Sequence, residues 1–105
     1  MLYTTTEIQS YRAALFPKYD NAGKISLYDT SNKNFATAFL RRETENLKKA
    51  YLDPNGIALL YFRRSVWSEL MDLLRNEGPL YLHFWEGPGN NTHISTSQEP
   101  VAEGE

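Results

Sequence analysis

The chain has 105 residues and no cysteine, which is enough for one domain with one core and excludes disulfides, thiolate metal sites and thiol nucleophiles. Eleven Lys and Arg against thirteen Asp and Glu leave a net charge of −2, yet all eleven cations fall between Arg12 and Arg75, where only seven acids accompany them. No apolar run approaches the ~20 residues of a membrane span, and the first residues lack the basic flank and apolar core of a signal peptide. The expected location is therefore the cytoplasm, or a nucleoid, nucleus or organelle matrix.

Taken in order, residues 1–10 are ambiguous: Thr4 with Glu7 has the spacing of a capping box that opens a short helix, while the threonine run equally suits a frayed lead-in. Tyr11 to Phe16 predicts a first strand, closed by the turn formers of Pro17 to Gly23. Lys24 to Asp29 alternates, with Ile25 and Leu27 on one face and Lys24, Ser26 and Tyr28 on the other, the pattern of a half-buried antiparallel strand. After a turn at Thr30 to Asn34, Phe35 to Arg42 alternates again, with Phe35, Thr37, Phe39 and Arg41 sharing one face.

Glu43 to Leu52 admits two readings. A loop followed by a strand from Leu47 to Leu52 is preferred, because Asp53-Pro54-Asn55-Gly56 is a type I turn signature that implies a hairpin; a short helix supported by Glu45 and Lys49 is the alternative. The chain is organised around Gly56 to Pro79. Ile57 to Phe62 is a short, dense apolar run that predicts a covered strand. Ser65 has the chemistry of an N-cap, and Val66, Trp67, Leu70, Met71, Leu73 and Leu74 form one helical stripe opposite Ser68, Glu69, Asp72 and Arg75. Gly78 and Pro79 stop the helix, predicted over 65–77. Leu80 to Glu86 predicts a strand, Gly87 to Asn91 a loop, and Thr92 to Gln98 an edge strand that pairs back. Residues 99–105 form an acidic tail beyond a single 1–98 domain, and disorder is expected there. The expected fold is α+β, a curved antiparallel meander of about six strands backed by one main amphipathic helix.

Cations recur beside rings: Arg12 by Tyr11, Lys18 by Tyr19, Lys24 by Tyr28, Arg41 and Arg42 by Phe39, and Lys48 and Lys49 by Tyr51. Single-stranded nucleic acid is held by that combination, a basic track for phosphates and rings on which bases stack. Tyr11, Arg12, Lys24, Tyr28, Arg41, Arg42, Lys48, Lys49 and Tyr51 are thus the candidate nucleic-acid-binding residues. The competing reading gives the tyrosines to sheet packing and the lysines to solubility. Arg63 and Arg64 oppose the dipole of the helix that follows, so a phosphate, Glu69 or another chain is expected to answer them. Catalysis finds no convergent acid, base and nucleophile. His83 and His93, on neighbouring strands with Glu86 the sole nearby acid, are too few for a metal site, and no cofactor motif is present. Trp67 is expected in the core, and Trp85 either in the core or as a stacking platform.

Three stretches resemble the Whirly proteins and the positive-cofactor-four-type transcriptional coactivators, which share a single-stranded-DNA-binding fold. Arg12-Ala13-Ala14-Leu15 resembles the end of the Lys-Gly-Lys-Ala-Ala-Leu-Ser motif, with Ser10 and Tyr11 in place of Gly-Lys and Phe16 in place of Ser. Gly56-Ile57-Ala58-Leu59 leading to Trp67 resembles the coactivator strand and helix. Leu80 to Pro100, with Phe84-Trp85-Glu86-Gly87 and Glu99-Pro100, resembles the hairpin after the Whirly helix. The resemblance implies a non-catalytic single-stranded nucleic-acid binder active in transcription or replication. Independently, one helix leaves much of a six-strand sheet uncovered, so a homo-oligomer, dimer or tetramer, is expected. A protein-interaction module without a nucleic-acid ligand is the alternative.

Overall fold

The computed structural model describes residues 3–16, 18, 22–42, 46–86 and 92–97. The fold is α+β, as expected, with one main helix among the described residues. Its strands are β1 (Tyr3–Ile8), β2 (Ser10–Phe16), β3 (Ala22–Tyr28), β4 (Asn34–Arg41), β5 (Tyr51–Leu52), β6 (Ala58–Arg63), β7 (Leu80–Trp85) and β8 (His93–Ser95), and a 3-10 turn at Arg64–Val66 leads into α1 (Trp67–Asn76). Instead of one meander, they form a five-stranded sheet in the order β2-β3-β4-β6-β5 and a three-stranded sheet in the order β1-β7-β8.

Two aspartates build two of the turns in the same way. Asp29 Oδ1 accepts from the backbone N–H groups of Ser31 and Lys33, each at 2.9 Å, and Asn32 takes a positive φ of 61°. Asp53 Oδ1 accepts from Asn55 at 2.8 Å and Ile57 at 2.9 Å, and Gly56 takes φ 81°. Such short side-chain acceptors hold a loop closed while one residue turns through the left-handed region. The Asp53 turn makes the expected hairpin, but its first arm pairs only over Tyr51 and Leu52 with Leu59 and Ala58. Residues 46–50 are not strand, and Leu47 is 39% exposed. The other edge of β6 pairs with β4 in parallel, Ala36 opposite Ala58 through Arg41 opposite Arg63. A parallel pair needs a long connection, which residues 42–57 supply, and none of the described residues there is helical.

Residues 3–8 are a strand and not a capped helix: β1 pairs antiparallel with β7 from Tyr3 opposite Trp85 to Ile8 opposite Leu80. The threonines of that segment suit a sheet, and the partner lies at the other end of the chain. Ser65 is not the N-cap. Because β6 stays paired to Arg63, the chain must turn at once, so Ser65 falls inside the 3-10 turn, Val66 precedes α1, and no side chain caps either. The helix stops at Asn76, and the Glu77 N–H reaches the Leu73 carbonyl at 3.2 Å, ahead of Gly78 and Pro79. The acidic tail at 99–105 lies outside the described residues.

The core lies on one side of the five-stranded sheet. Ile25, Leu27, Ala36, Ala38, Leu40, Ala58 and Leu60 point to it and are buried; Leu70, Met71 and Leu74 of α1 and Ile8, Leu80, Leu82 and Phe84 of the smaller sheet complete it. Burying a Leu- or Ile-sized side chain contributes ~1.5–3 kcal/mol, so this one-sided face fixes the register of every strand. Trp67 packs over Gly23: a Cβ built there would lie 2.7 Å from the indole ring, and only a residue without a side chain fits.

Candidate nucleic-acid interface

The face of the five-stranded sheet turned away from the core is set by the same pairings. One row across it reads Ala14, Lys24, Phe39, Tyr61, and the next reads Arg12, Ser26, Thr37, Leu59, Tyr51. Phe16 opposite Ala22 and Arg41 opposite Arg63 extend it. The strands contribute no Asp or Glu to these positions. On α1, by contrast, Glu69 and Asp72 are exposed, with Glu77 just beyond it, so acidic charge is displaced to the helix side.

Rings and cations interlock here. Phe39 and Tyr61 stack at 5.6 Å, and Tyr61 and Tyr51 at 6.4 Å with 14° between their planes. The Arg41 guanidinium lies 5.3 Å from the Phe39 ring and 5.6 Å from Tyr61, and Lys48 Nζ is 5.9 Å from Tyr61. Arg12 lies 5.5 Å over Tyr28. Each contact of this kind is worth ~0.5–1 kcal/mol when exposed, enough to orient a side chain and too little to consume its charge. Partial burial and the Tyr51 hydroxyl push the Tyr61 phenol above its ordinary range, against a lowering effect of Arg41.

Of the residues expected from sequence, Arg12, Lys24, Tyr28, Arg41 and Tyr51 share this face, and Lys48 reaches it across Tyr61. Tyr11 does not. It pairs with Leu27 and packs half-buried against the core, because neighbours on a strand point to opposite sides and Arg12 takes the outer one. Arg42 lies just past β4, exposed, and its carbonyl accepts from the Arg63 guanidinium at 3.4 Å. Lys49 is exposed on the approach to β5 and borders a cavity of about 180 Å³ that Ala50 and His93 also line. Tyr61 and Phe16 were missed as site residues. The signal for Tyr61 was present, since the alternation of Ala58 to Arg63 sets Tyr61 and Arg63 opposite buried Leu60.

Arg64 is answered within the chain, with its guanidinium 5.3 Å from the Trp67 ring. Trp67 is half-buried against the core, and Trp85 lies on the outer side of the smaller sheet, 4.4 Å from the Tyr3 ring. His83 and His93 pair across β7 and β8 and stack at 4.6 Å. His83 is fully buried; its Nε2 is 2.8 Å from the Ser97 carbonyl and its Nδ1 2.8 Å from the Tyr3 hydroxyl. A carbonyl only accepts, so Nε2 donates to Ser97, while Nδ1 meets the hydroxyls of Tyr3 and Thr5. Among the described residues no three of His, Asp and Glu gather as a metal would require. No helix among the described residues is long and apolar enough to cross a membrane. No protein-family model, curated protein or solved structure matches the chain.

Proposed function

We propose that this protein binds single-stranded nucleic acid, DNA or RNA, without catalysis, on the outer face of its five-stranded sheet, in the cytoplasm, a nucleoid or an organelle matrix. The supporting observation is the co-location of Arg12, Lys24, Arg41 and Lys48 with Tyr28, Phe39, Tyr51 and Tyr61 on one sheet face to which the described strands contribute no Asp or Glu. Cations neutralise phosphates there and rings accept bases, and both act on any sequence. The resemblance to Whirly and positive-cofactor-four-type proteins points to the same ligand class and to a role in transcription or replication. Association into a dimer or tetramer belongs to this reading: β2 is an edge strand with Leu15 43% exposed, and a second copy pairing there would widen the basic face.

Oligothymidylate binding measured from low to high salt tests the reading. The logarithm of affinity should fall linearly with log salt, and Lys24→Ala and Arg41→Ala should each shallow the slope by about 0.7. Failure to bind at low salt removes the proposal. A protein-interaction module is the second reading, favoured by a shallow cavity of about 310 Å³ on the helix side, lined by Phe62, Val66, Leu70, Leu73 and Ile94.

A further inference from the structure

Across the five-stranded sheet the outer face runs Tyr51 on β5, Tyr61 on β6, Phe39 on β4, Lys24 on β3 and Phe16 on β2. The first three rings stack on one another, at 6.4 and 5.6 Å. Between Phe39 and Phe16 the line opens. Those two strands are separated by two inter-strand steps, ~10 Å, and the position opposite Phe16 is the small Ala22. The result is a cleft of about 260 Å³ lined by Phe16, Ala22, Gly23, Lys24, Phe39 and Arg41. Phe16 is 39% exposed, an unusual position for a large apolar ring that completes no core.

We propose that this cleft is a nucleobase-stacking subsite, which takes one splayed-out base of a bound single strand between Phe16 and Phe39 while Lys24 and Arg41 hold its flanking phosphates. The proposal rests on the nucleic-acid reading and deepens it. A base stacks on aromatic faces, and the cleft brings the Phe16 and Phe39 side chains to one cavity of about 260 Å³. Walls that are apolar and aromatic suit a base face, and cations at the rim suit a phosphate and would repel a cationic guest. An acidic peptide would use the rim but leave the ring faces unfilled.

The test compares a short oligothymidylate with an abasic deoxyribose-phosphate oligomer of the same length, on wild-type protein, Phe16→Ala and Phe16→Trp. Losing one stacking partner should weaken oligothymidylate binding roughly 5- to 100-fold in Phe16→Ala, leave abasic binding and the salt slope unchanged, and be rescued in Phe16→Trp. If wild-type protein binds and Phe16→Ala binds oligothymidylate equally well, the cleft is not a subsite although the sheet reading stands. Equal weakening of both oligomers by both substitutions assigns Phe16 a structural role and overturns the proposal. If neither oligomer binds wild-type protein at low salt, the subsite and the nucleic-acid reading fall together.

Discussion

Among the described residues two aromatic clusters stand out, one on the outer side of each sheet, and they are finished in opposite ways. On the smaller sheet Tyr3, His83, His93 and Trp85 pack together, and both nitrogens of the fully buried His83 are spent on internal partners. On the larger sheet Phe39, Tyr61 and Tyr51 stay partly open and are crossed by Arg41 and Lys48. Aromatic content alone therefore does not identify a binding face. The closed cluster ties strands together through His83, although the buried Trp85 Nε1 has no partner among the described residues, whereas the open one, interleaved with cations, retains charge and ring area for a ligand.

The largest expected effect strikes the closed cluster. His83→Ala removes one partner each from the Ser97 carbonyl and the Tyr3 hydroxyl, which keep Ser95 and Thr5, and leaves a void at a fully buried position, so it should cost about 3 kcal/mol in urea unfolding. Oligonucleotide affinity measured well below the unfolding transition should be unchanged; a loss there would show that the two clusters are coupled. Next comes the wall behind the open cluster. Gly23→Ala forces a methyl group into the Trp67 ring and should destabilise by about 1–3 kcal/mol, seen as a lower Tm, while the cations in front keep their salt slope.

The smallest effect on folding falls on the open cluster itself. Tyr61→Ala should weaken oligonucleotide binding by ~1–3 kcal/mol, with Tyr61→Phe close to wild type, and should leave stability within about 1 kcal/mol. Equal binding by both variants would deny the ring a stacking role. Tyr61 also carries a pH signature. Its phenol is raised in the folded state, so the stability it contributes is fully present below the ordinary tyrosine range and is lost as pH rises through the folded value. Alkaline unfolding should be displaced in Tyr61→Phe, and a spectrophotometric titration should lose its late-ionising tyrosine.

Much of this was legible locally. The alternation of Lys24 to Tyr28 assigned a buried and an outer face correctly, that of Phe35 to Arg42 separated two faces without deciding which is buried, and the stripe of Leu70, Met71 and Leu74 placed the helix. The same rule should have turned Tyr11 inward, but pairing each cation with its nearest ring in sequence put Tyr11 beside Arg12, which the pleat forbids. Phe16 and Tyr61 were overlooked for a related reason: their cation neighbours, Lys24 and Arg41, belong to other strands.

By itself the sequence determined the strands at β2, β3, β4, β6 and β7, the helix α1 and the turns at Asp29 and Asp53, because these depend on contacts within a few residues, whereas β1 and the short extent of β5 were not legible. Only the tertiary structure decided that β1 pairs with β7, that β6 lies parallel to β4, and that the strands divide into two sheets. Strand partnership is a long-range choice between segments of similar pattern, settled by loop reach and by burial of both apolar faces at once. The row of rings and cations on the larger sheet follows from that choice.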